Sequence, residues 1–385
     1  MPRHTSLSSL VMVLLVGGLL VPASPASAAV TYVVNSTADD TDPEGCQPTP
    51  GDCTLREAIL AANAGIGPGR VTFALGGGVP TINIASELPP IEDRLLLNGA
   101  TGGATRVELT GPFGSDCDDG LAIAGSGASG SVIKKMVLNG FHCVGIRIDS
   151  SNENVVIGNW IGTDETGMAP GGGMITGILI AFGSSSNIIG GTTAVTRNVI
   201  GDNDSGVVVG TPGSSNTIIG NLIGIGVGGV PVPNGTGVRV EGTGVGNTIQ
   251  GNRIDHNSSL GIDLGDGGVT PNDSVDEDTG ANDLQNFPEI LEADASATET
   301  SISGELSSTP NSTFRIDLYS SPSCDTSGFG EGAIPLANFT GSTDAAGSMT
   351  FDITTAPITV GRVVTGTATN AGGSTSEFSE CRAVI

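Results

Sequence analysis

From Gly145 to Leu264 a two-part phrase keeps returning, and it constrains the fold more than any other feature of this 385-residue chain. Its first part is a glycine followed by mostly apolar residues: Gly145-Ile-Arg-Ile148, Gly177-Ile-Leu-Ile180, Gly206-Val-Val-Val209, Gly237-Val-Arg-Val240 and Gly261-Ile-Asp-Leu264. Its second part is an asparagine before a branched run: Asn154-Val-Val-Ile157, Asn187-Ile-Ile189, Asn216-Thr-Ile-Ile219 and Asn247-Thr-Ile249. The glycines are spaced by 32, 29, 31 and 24 residues and the asparagines by 33, 29 and 31. Each period holds three short β-runs, as in Gly206-Val-Val-Val209, Thr217-Ile-Ile219 and Asn221-Leu-Ile223. Strands this short cannot bury a core alone, but stacked on like neighbours they can. The Leu-spaced consensus of leucine-rich repeats is absent, and propeller blades need longer, four-stranded periods. The expected fold is therefore all-β, a right-handed parallel β-helix with layers ~4.8 Å apart.

The polar residues of the phrase fit the same reading. An Asn at one turn of every layer can bond to its counterparts above and below. Asn154, Asn187, Asn216 and Asn247 are placed for one such ladder, and Asn159, Asn198, Asn221 and Asn252 for a second. The glycines are expected where φ is positive or where layers approach closely.

The flanks differ from the repeat. Residues 1–28 read as a secretory signal peptide: Arg3 and His4, an apolar run from Leu10 to Val21, and Ala26-Ser27-Ala28 as the cleavage site. Residues 29–119 form an N-terminal capping segment containing one convincing helix, Thr54 to Asn63. Thr54 and Glu57 make a capping box there, and Leu55, Ala58, Ile59 and Ala62 make one apolar face. The helix is expected to cover the open end of the stack. Repeats occupy 120–286. From 287 to 385 period-two alternation takes over, and about seven strands suggest an immunoglobulin- or fibronectin-like β-sandwich ending in a strand at Thr375–Cys381.

Charge narrows the partners. The net charge is −26 and the only lysines are Lys134 and Lys135, so no basic surface for nucleic acid exists. No stretch after residue 28 is apolar enough to span a bilayer, so the mature chain is expected to be secreted or at the cell surface. Six cysteines in an exported chain favour disulfides, and sequence proximity pairs Cys46 with Cys53, Cys117 with Cys143, and Cys324 with Cys381 out of fifteen arrangements.

Two resemblances accompany these readings. Cys53-Thr-Leu-Arg-Glu-Ala58, with the preceding Val33-Val-Asn-Ser-Thr-Ala-Asp-Asp40, resembles the motif of the CSLREA-domain proteins, with Thr54 replacing the family's Ser. That resemblance covers about Thr31 to Asn63 and implies an exported bacterial protein in which the motif precedes a β-helix. The phrases Ile161-Gly-Thr-Asp164, Asn187-Ile-Ile-Gly-Gly191 and Arg197-Asn-Val-Ile-Gly201 resemble long-repeat members of the pectate-lyase-like superfamily. Its members include lyases, glycoside hydrolases and adhesion or structural proteins, so the fold implied does not select an activity.

Candidate chemistry is confined to two places. Aligning coils on the second asparagine puts Thr163, Asp202, Ile225 and His256 in one column, with Asp202 and His256 two layers apart. Asp202 and His256, together with Asp204, Arg253 and Asp255, are the candidate catalytic residues, although Asp and Asn before Gly206 also suit a turn. Farther on, Asp266, Asp273, Asp276, Asp278 and Asp283 form an acidic loop suited to the oxygen-rich coordination of Ca²⁺, or simply to a solvated linker. The expected function is a non-enzymatic one, a repetitive surface for adhesion or for binding extracellular ligands such as polysaccharide. The alternatives are a polysaccharide lyase or glycoside hydrolase acting on an acidic polysaccharide, and a structural surface-layer component.

Overall fold

The computed structural model describes residues 29–42, 45–46, 51–65, 67–111, 117–265 and 267–385. The signal-peptide reading of residues 1–28 and the acidic candidate Asp266 lie outside the described residues. Twenty-one short strands from Val30 to Leu264 stack in parallel into three sheets of eight, seven and six strands, the three faces of a parallel β-helix. The first face runs from Val30–Val34 to Thr248–Gln250, the second from Thr81–Asn83 to Arg253–Ile254, and the third from Leu121–Ala124 to Ile262–Leu264. The N-terminal segment thus contributes strands to the same sheets as the repeats.

Register explains the phrase. On the third face Ile146, Ile178, Val207, Val238 and Ile262 occupy successive layers, all buried. The first face contributes Val156, Ile189, Ile218 and Ile249, and the second Ile161, Ile200, Ile223 and Ile254. These inward branched chains form one continuous core, each burial worth roughly 1.5–3 kcal/mol. The phrase glycines serve close approach. A Cβ at Gly120, Gly145, Gly177 or Gly206 would lie 2.6 Å from the carbonyl oxygen of the next phrase glycine. No side chain fits at that corner of the helix.

Both expected asparagine ladders form. Asn154, Asn187 and Asn216 each donate their main-chain N–H and side-chain Nδ2 to the Oδ1 of the next Asn, and Asn247 receives the last pair. Asn159, Asn198, Asn221 and Asn252 repeat the pattern. All eight are buried, so each amide replaces water by protein partners.

The helix spans Leu55–Asn63, with both hydrogen bonds of the capping box in place. Within the helix Arg56 is a structural clamp, holding Asp39 through two bonds of 2.8–2.9 Å and the carbonyls of Ser86 and Glu87. All three disulfides join the cysteines that sequence proximity paired.

Seven antiparallel strands between Glu289 and Ala383 make two sheets, of three and four strands, around a separate apolar core. Here the sequence expectation needs correction: Thr375–Cys381 is not the last strand, which is Arg382–Ala383. The segment 373–380 instead runs irregularly beside the strand Val363–Asn370, where the Ser376 and Ser379 N–H groups bond Ala368 O and Gly366 O, and covers the end of the coil stack with its other side. Thr375 Oγ1 accepts the Ile249 N–H on the first face, and Glu377 Oε1 accepts the Leu264 N–H on the third. On the second face Ile254 and Gly332 exchange two main-chain bonds, of 3.0 and 2.8 Å. Phe378 and Tyr319, in edge contact at 5.3 Å, join the core of the β-helix. The sandwich is thus the C-terminal cap.

Candidate functional site

Stacking decides which of the candidate residues meet. Asp202 sits at a turn with φ 62°, and its main-chain N–H bonds to the carbonyl of Pro233, not to the coil position held by Ile225. The reason is an excursion. After Gly224 the chain leaves the coil, bridges Ile225 to Pro231, and returns so that the Val232 N–H bonds Gly224 O. A matching loop leaves after Gly162, and the two touch where the Val227 N–H reaches Gly167 O at 2.7 Å. Pro233 therefore takes the place between Asp202 and His256 that the sequence alignment gave to Ile225. The same register reveals a third ladder, unrecognised in the sequence: Asn203 to Asn234 to Asn257. It ends on Glu331 of the sandwich, whose Oε1 accepts both the Asn257 N–H and its Nδ2 at 3.1 and 2.7 Å.

A ladder of this kind always leaves its last donors unpaired, and buried donors need an acceptor. A carboxyl group fits because one of its oxygens can accept in either protonation state. Burial pushes Glu331 up to about 8, against the Asn257 bonds that favour its charge, with nearby Asp255 adding repulsion. Glu377, bonded to the N–H groups of Leu264 and Thr270, is pushed up to about 7, again chiefly by burial.

The five catalytic candidates fall into two groups. Asp202 and the exposed Asp204 line an open cleft of about 490 Å³ with His142, Asn203, Asn234 and Ser258. The Asp202 carboxylate accepts the Gly172 N–H at 3.2 Å, and burial raises its pKa above the ordinary carboxylate value. A carboxyl group held up in this way can act as a general acid. His142 was not singled out from the sequence, because only the coil return brings it from 60 residues upstream of Asp202 to the same corner. Arg253, Asp255 and His256 lie instead at the junction with the sandwich. Arg253 Nε donates to Ala333 O at 2.7 Å, and His256 Nδ1 is 3.0 Å from Asp255 Oδ2. Burial raises the Asp255 pKa, with His256 and then Arg253 pulling the other way.

Of the acidic loop, Asp273, Asp276 and Asp278 bring carboxylate oxygens within 4.8 Å of one another. Asp283 does not join them, since its Oδ2 accepts the hydroxyl of Ser374 on the cap. The only tryptophan, Trp160, lies under the Arg106 guanidinium, 3.8 Å from the ring centroid, and packs with Val199, Leu222 and Ile225. Its ring is half-buried rather than a free platform.

Among the described residues, no helix is long and apolar enough to cross a membrane. No protein-family model matches the chain, and no curated protein is found to be similar to it.

Proposed function

We propose that the protein is an exported, non-enzymatic β-helix whose lateral faces bind extracellular ligands, polysaccharide among them. The carrying observation is the disposition of polar groups. Three asparagine ladders turn their amides inward, and both ends of the stack are covered, by the helix and by the sandwich. The sides of the coils are what a partner can reach; their backbone repeats at each layer while the outward side chains vary, as Arg147, Leu179, Val208, Arg239 and Asp263 do on the third face. The signal-peptide-like start, the three disulfides and the resemblance to the CSLREA-domain proteins support export. The pectate-lyase-like resemblance is compatible with adhesion as well as with catalysis.

One observation favours a second reading, a lyase or hydrolase for acidic polysaccharide: His142, Asp202 and Asp204 share an open cleft. A panel of acidic polysaccharides, assayed for reducing ends and for unsaturated uronates and run beside a glycan array, separates the two. Array binding with no product upholds the binding reading. Product that disappears in Asp202→Ala and His142→Ala overturns it.

A further inference from the structure

We propose that the loop from Asn272 to Asn286 binds one calcium ion, which fastens the last coil to the sandwich. Three carboxylates, Asp273, Asp276 and Asp278, offer oxygens within 4.8 Å of one another, a span that one ion at ~2.3–2.6 Å from each oxygen can bridge. Such a trio alone would suit a solvated linker. A second observation sets this one apart. Gln285 is only 2 % exposed and directs its amide into the trio, with Nε2 2.7 Å from Asp276 Oδ2. Its carbonyl oxygen Oε1 is shielded from water and has no hydrogen-bond partner. Asp278 Oδ1, in the trio itself, is likewise shielded and unpartnered.

Each buried oxygen left without a donor costs roughly 1–3 kcal/mol, and more if charged. Here two such acceptors, Gln285 Oε1 and Asp278 Oδ1, belong to a group that also holds three carboxylates, and one bound cation would answer them together. All the groups are oxygens, with no imidazole or thiol among them, and such hard donors select a hard cation.

The loop is also where an ion would matter. Asp276 accepts from Ser308 of the sandwich, and Asn286 donates to Ser307 O. Asn282 Oδ1 receives the Asn247 N–H and so ends the first ladder. Ordering the loop therefore fixes both the ladder's last acceptor and the sandwich.

The test uses the full mature chain stripped with EDTA. Calorimetry with CaCl₂ is expected to show one saturable site, with weaker heat from MgCl₂, and calcium is expected to raise the melting temperature. Asp278→Asn keeps the side chain's shape and is expected to leave the calcium-free melting temperature unchanged. Its calcium affinity is expected to fall roughly tenfold or more. If that variant does not fold, Asp273→Asn is read in the same way. No saturable heat and no thermal shift would overturn the proposal. So would undiminished calcium binding by a folded variant, since binding would then come from other acids of this −26 chain.

Discussion

The two ends of the coil stack are closed by unlike means. At the N-terminal end a nine-residue helix lays Leu55, Ala58, Ile59 and Ala62 against the first coils. At the C-terminal end a separately cored sandwich sends Tyr319, Gly332, Glu331 and the 373–380 segment onto all three faces. The ladders explain part of this difference. Each Asn donates toward the next layer, so the stack presents buried N–H donors at its C-terminal end. The groups that meet them are oxygens: Asn282 Oδ1, Glu331 Oε1, Glu377 Oε1 and Thr375 Oγ1. At the N-terminal end the helix adds polar clamps from its own Arg56 and Asn63 to its apolar face, whereas the ladder ends at the other side need acceptors brought from a distant part of the chain.

Three substitutions or titrations probe that contrast. The largest effect is expected at the C-terminal cap. Phe378→Ala removes a ring that is 3 % exposed in the shared core, and a loss of about 3–5 kcal/mol is expected from urea unfolding. A loss below about 1 kcal/mol would mean that the sandwich merely neighbours the coils.

Next comes pH. Glu331 and Glu377 titrate in the folded protein near about 8 and about 7, above the ordinary carboxylate value, so the folded state binds protons that the unfolded chain has released. Their contribution is fully present below the unfolded pKa and is lost as pH rises through the folded values. Urea midpoints should therefore decline between about pH 5 and about pH 8. Glu331→Gln keeps an accepting oxygen for Asn257 without a proton to lose, and should flatten that decline. An equally steep decline in this variant would remove Glu331 from the account.

The smallest effect belongs to the N-terminal end. Thr54→Ala removes half of the capping box and is expected to cost about 1 kcal/mol by urea unfolding. A cost as large as that of Phe378→Ala would erase the distinction between a local cap and a tertiary one.

What was legible in the sequence follows the same division. The helix and its cap were readable because Thr54, Glu57 and the apolar face lie within ten residues. The first ladder was readable because its asparagines recur at a nearly constant interval, and the second, spaced by 39, 23 and 31 residues, because each of its asparagines stands two residues before an isoleucine. The third was not. The excursion 225–231 displaces Asn234 from the expected column, and its terminal acceptor, Glu331, lies 74 residues beyond Asn257. Thr375–Cys381 read as a strand because Ser, Thr and Phe alternate there, but it shares its bonds between the strand Val363–Asn370 and the coil ends and so forms no regular ladder. The candidate sites divide in this way too. Asp202 was named from its column in the aligned coils and Asp204 from its place beside it, whereas His142 joins them only through the coil return.

The sequence by itself determined the parallel β-helix, since a period near thirty residues with three short apolar runs has few other ways to bury them. It also determined the capping helix, whose signals are local, and the sandwich's alternation. Only the tertiary structure decided how the stack ends and which polar groups share a corner. Stacking brings together residues separated by whole coils, and a single excursion shifts every later residue in a column. A buried donor also does not record in its own sequence which distant oxygen will accept from it.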